Sequence, residues 1–334
     1  MPGAMEIDQV GQKQEISEIV FNIRADETPF TSMLPKDKKP HNKLPTWQVE
    51  TYRAGSLAGV MDNADVAAFN SEPRFLLTGV AQKVREPWSV SDFADETDVA
   101  GLASGEKGQQ KLVAAKVLKF SMEGRCLSKE ACTVDNGVAI PNATRGALEW
   151  IDNAAQTLYP VPAAFRPALT NIYTDDLADF TESEFEAMGQ SAFKERKGKL
   201  NLDGFVGIDL QAQMDNWTAR DPEATAANYP VRSWTQDANK KAFIKVVNFF
   251  TFSWGQVRTH LSTYIYLDAD GAETDYTHKS GLFADMSMWA LGFMRKPRMG
   301  DLPDLGGGPR GFADAIMVLK CRNPLGQMKV ETDA

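Results

Sequence analysis

Prolines at positions 29, 35, 40 and 45 exclude regular structure from much of the early chain. Proline fixes φ and carries no amide proton, so neither a helix interior nor a central strand continues through this spacing. The residue before Pro29 is driven away from helix too, which ends a short amphipathic helix expected over residues 12–23, with Ile16, Ile19, Val20 and Ile23 on one face. Residues 31–44 then read as an extended arm reaching away from a core. Strand alternation begins just after it: Trp47, Val49 and Thr51 against Gln48, Glu50 and Tyr52, and again over 80–86. The residues between, 54–79, are rich in Gly, Ala, Asn and Asp. A long irregular connection inside a domain is usually functional or mobile. This one reads as a projecting hairpin whose ordering needs a partner surface.

Residues 106–130 lack proline and place Val113, Val117, Phe120, Gly124 and Leu127 on one apolar face, widened by Leu112, Ala115, Leu118 and Met122. This predicts a helix on the order of 37 Å long at 1.5 Å per residue. It assigns Val113, Val117, Phe120 and Leu127 to a structural spine. Asn136-Gly137 turns the chain, residues 144–152 read as helical, and Pro160, Pro162 and Pro167 mark a loop. Thr181 and Glu184 fit a capping box, and Phe185, Met188 and Ala192 share a face. Lys194, Arg196 and Lys197 suit the negative end of the helix before Gly198. A buried strand over 204–209 and a helix over 210–217 follow. Strands over 242–253 and 256–267 flank Trp254-Gly255, and a last strand fits 315–322.

Signals for chemistry are sparse. At 43% hydrophobic and 24% charged the chain is an ordinary globular one, not a disordered one. No apolar run approaches a membrane span, and the first residues lack a signal-peptide pattern. Three cysteines without metal-ligand spacing read as reduced thiols. A formal net charge of −9 argues against a protein that grips phosphates. The basic stretch of Lys36, Lys38, Lys39 and Lys43 around His41 reads as a solvated segment. Neither His41, His260 nor His278 has a neighbour that makes a metal or nucleophile motif. Gly306 to Gly311 satisfies the G-x-G-x-x-G string, but a proline-rich loop precedes it, Pro309 removes an amide and a strand follows, so it reads as a loop. The acidic residues Asp175, Asp176, Asp179, Glu182, Glu184 and Glu186 complement a helix N-terminus. Asp268 to Gly271 lacks the pattern of a calcium loop and reads as a turn. No catalytic residue, cofactor or metal site is predicted.

An N-terminal arm, a projecting two-stranded loop, a long helix and a later α/β region with terminal strands occur here in one order. That order resembles the Hong Kong 97-type major capsid fold of tailed double-stranded DNA bacteriophages. The likeness is carried by Glu27-Thr28-Pro29-Phe30 after the expected first helix, by Thr144-Arg145-Gly146-Ala147-Leu148-Glu149-Trp150, by the helix after Thr181 leading to Trp217, and by Asp285-Met286-Ser287-Met288-Trp289 running to Arg295-Lys296-Pro297. The resemblance implies an α+β fold in four parts: an arm over 1–42, an extended loop over 43–98, a peripheral domain over 99–140 completed by 285–334, and an axial domain over 141–284. It implies a structural protein that assembles as pentamers and hexamers into an icosahedral shell around double-stranded DNA. Portal and separate scaffolding or decoration proteins would be its partners, and assembly would occur in the host cytoplasm. It also implies that Thr28, Pro29, Phe30, Trp47 and Trp88 lie at contacts between subunits. With no lysine between Ala54 and Gln82, the lysine cross-link of some family members is not expected. An encapsulin-like container, which shares the fold, and an ordinary soluble enzyme remain alternatives at the level of sequence.

Overall fold

The structure, a computed structural model, describes residues 27–53, 55–62, 65, 69, 71–97, 105–217, 249–265 and 278–332. The expected helix over 12–23, the turn at 268–271 and the first residues of the strand expected from 242 lie outside them. In chain order the elements are α1 (Pro29–Met33), β1 (Thr46–Val49), β2 (Phe75–Thr78), β3 (Gln82–Ser89), α2 (Asp92–Glu96) and α3 (Gly105–Leu127). They continue with α4 (Ala147–Trp150), β4 (Ile172–Tyr173), α5 (Glu182–Arg196), β5 (Leu200–Val206), α6 (Ile208–Asn216), β6 (Phe249–Phe252) and β7 (Gly255–Leu261). Last come β8 (Gly281–Ala284), β9 (Trp289–Leu302), β10 (Arg310–Cys321) and β11 (Met328–Val330). Two compact units result: Arg85–Leu118 with Pro297–Asp314, and Glu27–Val84 with Lys119–Lys296 and Ala315–Ala334.

The larger unit is organised by a six-stranded sheet in the order β4-β11-β8-β5-β7-β6. Central β5 pairs parallel with β7 and antiparallel with β8, and a central strand buried on both faces reads as a mostly apolar run. Helix α5 covers the sheet with Phe185, Met188 and Ala192, all buried. Its start carries the capping box: Thr181 Oγ1 accepts from Glu184 N, and Glu184 accepts from Thr181 N. The helix ends with Lys197 at φ 57°, one residue earlier than the glycine that the sequence offers. Mid-helix Gly189 is required by packing, since a Cβ there would lie 2.1 Å from Cε2 of Trp254. Trp254 forms the β6–β7 turn and packs edge-on against Phe185 at 5.9 Å. The aromatics Phe250, Phe252 and Trp254 belong to this core.

A second knot forms around Arg145, which is buried and donates from Nη2 to the carbonyls of Leu158 at 2.7 Å and Tyr159 at 2.9 Å. Its guanidinium lies 4.4 Å over the Trp150 ring, while Thr144 Oγ1 accepts from Leu319 N at 3.2 Å. Lys329, fully buried, donates to Leu148 O at 3.0 Å and to Glu331 at 2.6 Å, and Lys129 holds the other Glu331 oxygen at 2.9 Å. Glu195 ties two loops, accepting from Ala168 N and Asn171 Nδ2 in one and from Gly326 N in the other. The residues expected to form a helix over 144–152 make only the single turn α4.

The smaller unit contains α2, the first part of α3 and the outer parts of β3, β9 and β10, whose three-stranded sheet has the order β3-β10-β9. Trp88 is buried there, with Lys111 Nζ 4.9 Å above its ring. Lys111 also pairs with Asp301 at 2.9 Å, and Arg298 Nε reaches the buried Asp314 at 3.0 Å. The strand expected over 315–322 is β10, which is longer and is followed by the short β11, and β9 preceding it was not legible as a strand because Pro297 and several charges interrupt its pattern.

Candidate assembly surfaces

Thr28 leads into α1, which carries Pro29 at its first turn. No internal partner exists for the first amides of a helix, so proline starts a turn there instead of ending one. The next two amides have a partner from outside. Phe30 N donates to Glu123 Oε1 at 2.8 Å, and Thr31 N donates to Oε2 at 2.7 Å. Glu123 projects from α3 and is fully buried. Burial pushes its carboxyl pKa up, against the lowering effect of the hydrogen bonds from Thr31 and Phe30. The Phe30 ring sits edge-on 5.0 Å from Phe205 and 6.2 Å from Trp289. Farther on, Leu291 N donates to Pro35 O and Asp37 N to Leu291 O. The expectation of an arm reaching away from the core is therefore corrected for these residues: Thr28, Phe30, Leu34 and Pro40 are buried against their own chain.

A two-stranded hairpin forms here, with a different second strand from the one expected. β1 pairs antiparallel with β2, in the register Thr46 with Thr78 through Val49 with Phe75. Of the alternating stretch at 80–86, residues 82–86 belong instead to β3, in the three-stranded sheet. Every described residue between 50 and 74 is exposed. Among them Tyr52 is 88% exposed, Leu57 102%, Val60 82%, Met61 85% and Phe69 91%. Five large apolar side chains thus stand in water within one segment. These five were not singled out by sequence, because they sit singly among Gly, Ala, Asn and Asp with no period. Trp47, at the root of the loop, is half-buried: its Nε1 donates to Cys321 O at 3.0 Å, and its ring lies 5.7 Å from Trp150. Trp47 and Trp88 thus make contacts within their own chain.

The α3 stripe divides. Phe120 and Leu127 are buried, with Phe120 stacked on Tyr264 at 5.3 Å. Val113 and Val117 are 39% and 37% exposed, and Leu112 is exposed beside them. The buried positions on that half of the helix are Ala114 and Leu118, so the expected core face is rotated there.

The rest of the described surface carries no constellation for catalysis. His41 and His278 are exposed, and His260 on β7 lies 3.5 Å from Asp203 across the β5–β7 pair. Burial pushes the Cys126 and Cys321 thiols far above the range in which a thiolate forms at neutral pH. The amides of Gly306 and Gly307 are taken by Asp304 Oδ1, at 2.8 and 3.2 Å, and these bonds hold the Asp304 carboxyl below its ordinary range. In the acidic group, Asp176 caps Ala178 N and Glu184 completes the α5 capping box. The basic stretch is exposed at Lys36, Lys38, Lys39 and Lys43, while Asp37 within it pairs with Lys320 at 2.6 Å. Among the described residues there is no group of three or more His, Cys, Asp or Glu able to hold a metal ion, and no helix is long and apolar enough to cross a membrane.

A family model described as SU10 major capsid protein matches residues 4–332. The chain belongs to the SU10 major capsid protein family. Its role is therefore that of a structural subunit of a phage capsid, a virion component, and not that of an enzyme or an encapsulin-like container. No curated protein matches it by sequence. Solved structures match across almost the whole chain. The capsid asymmetric unit of cyanophage A-1(L) has a TM-score of 0.63 at 10% identity, covering 98% of this chain and 97% of that one. The capsid of a native GTA particle has 0.61 at 9% identity, covering 96% and 95%. The capsid of cyanophage Pam1 has 0.56 at 12% identity, covering 98% and 97%. Identities this low establish the shared fold, the Hong Kong 97-type capsid fold, and nothing finer.

Proposed function

We propose that this subunit assembles as pentamers and hexamers into a closed icosahedral shell around double-stranded DNA, in the host cytoplasm, with a portal and separate scaffolding or decoration proteins as partners. The observation that carries the reading is the 50–74 loop, whose Tyr52, Leu57, Val60, Met61 and Phe69 are exposed. An isolated subunit recovers little of the roughly 1–2 kcal/mol per residue lost on ordering such a segment. A neighbouring subunit covering those side chains recovers it, through interfaces of the size typical of obligate assemblies. The four-part division over 1–42, 43–98, 99–140 with 285–334, and 141–284 belongs to the same reading. Within it, Val113 and Val117 join the loop as contacts between subunits. Thr28, Pro29, Phe30, Trp47 and Trp88 serve such contacts indirectly, by anchoring the segments that carry them, and Phe120 and Leu127 hold the long helix in the subunit.

Electron microscopy and sedimentation velocity of the purified chain test this. Closed shells, or rings of five and six, are expected from the unaltered chain. A variant carrying Tyr52→Ser, Leu57→Ser and Phe69→Ser is expected to keep its unfolding midpoint and lose assembly. Normal shells from that variant refute the loop as the principal contact.

A further inference from the structure

Residues 131–143 form a small loop closed at its base by Thr133 N to Ala143 O and Ala143 N to Thr133 O, at 3.2 and 3.0 Å. At its exposed end, Asn136 Oδ1 accepts hydrogen bonds from the backbone amides of Val138, Ala139 and Ile140, each at 3.0 Å. Only the oxygen of a carboxamide accepts, so three convergent donors fix which side-chain atom occupies the cradle. The next amide in the chain, Gly137 N, donates to Asp135 Oδ1 at 2.7 Å. Asp135 is itself held, its backbone N donating to Asn142 Oδ1 at 2.9 Å. Gly137 has φ 76°, and a Cβ there would meet nothing within 4 Å, so the site is open to water.

We propose that Asn136-Gly137 is a self-modification site, at which the Asn136 side-chain amide is converted to a carboxylate through a succinimide. Gly137 N attacks Asn136 Cγ while its proton passes to Asp135, whose carboxylate already receives that N–H. As the N–Cγ bond forms, negative charge gathers on Oδ1, inside the cradle of three backbone donors. Preorganised donors around a developing oxyanion, with a base on the proton to be removed, are the two elements that accelerate acyl transfer. The Cγ–Nδ2 bond then breaks, ammonia departs with the proton from Asp135, and the carboxylate is restored. Water opens the ring at either carbonyl, leaving aspartate or isoaspartate. One water is consumed and one ammonia released, with no change of oxidation state. The product adds a negative charge beside Asp135. The isoaspartate form also lengthens the backbone of a loop that Asn136 N closes by donating to Ile140 O.

The test holds the intact chain at neutral pH and follows the proteolytic peptide 130–145 by mass spectrometry, beside the same peptide synthesised and free in solution. Conversion at Asn136 is expected to be roughly tenfold or more faster in the folded chain than in the free peptide. Asp135→Ala is expected to slow the folded chain by roughly tenfold or more with its unfolding midpoint unchanged. Asp135→Asn, which keeps a turn-forming side chain and loses the base, gives the same reading should alanine disturb the loop. Conversion in the folded chain no faster than in the free peptide overturns the proposal. So does a folded Asp135 variant that converts as fast as the unaltered chain.

Discussion

Replacing Glu123 by alanine removes the side-chain acceptor to which two amides, Phe30 N and Thr31 N, donate at 2.8 and 2.7 Å. Each buried donor left without a partner costs about 1–3 kcal/mol. Relief from holding a carboxylate out of water works in the opposite direction, so the net loss is about 2–4 kcal/mol. Glu123→Gln is milder, at about 1–2 kcal/mol, because one oxygen still accepts while the –NH2 group faces the second N–H. The pH dependence has a definite sign. Burial raises the carboxyl pKa above its unfolded value, so the folded chain binds the proton more readily. The contribution of the group to stability is then full below its unfolded pKa and is lost as pH rises through the raised folded one. The advantage of the unaltered chain over Glu123→Gln is therefore largest at the acid end and narrows toward neutrality. Urea unfolding of each variant across pH reads the free energies. Hydrogen exchange at the Phe30 and Thr31 amides reads the site itself, and exchange there is expected to accelerate in both variants. Unchanged protection of those two amides in Glu123→Ala refutes the argument, whatever the global stability does.

Phe120→Asp places a charge against Tyr264 in a buried position, and a loss of about 3–5 kcal/mol with collapse of soluble yield is expected; a variant of full stability contradicts the packing of α3. Val117→Asp lies on the exposed half of the same helix, so its unfolding midpoint is expected to move by no more than about 0.5 kcal/mol. The same variant is expected to fail in assembly by electron microscopy, and shells formed normally by it remove Val117 from the contact. Gly189→Ala sets a methyl group against the Trp254 ring, and a lowered unfolding midpoint with altered tryptophan fluorescence is expected; an unchanged midpoint means that the helix and the β6–β7 turn are farther apart than described.

The parts legible in the sequence are those written in local signals. The α5 capping box, the basic last turn and the apolar face of Phe185, Met188 and Ala192 all lie within a few turns of one another, and the helix forms where they predict. The Trp254-Gly255 turn between β6 and β7 is of the same kind, as is the proline in the loop that denies the glycine string a phosphate site. The order of the quoted motifs was enough to indicate the capsid fold, because family likeness accumulates along a chain even where each motif is short.

Tertiary structure decided what depends on distant partners. Pro29 reads in the sequence as the end of a helix, whereas Glu123, Phe205 and Trp289, all distant in the chain, hold it as the start of α1. Strand β1 could pair with either of the following apolar runs; the choice of β2 leaves 82–86 free to join β10 and β9, a pairing no local period specifies. Val113 and Val117 share a helical spacing with Phe120, yet burial of that face depends on what the rest of the chain places opposite it. The short β11 enters the larger sheet between β4 and β8, and its three residues carry no period of their own. Local free energies set propensity and spacing; the pairing of remote segments is set by which surfaces they bury together, and that is a property of the folded chain alone.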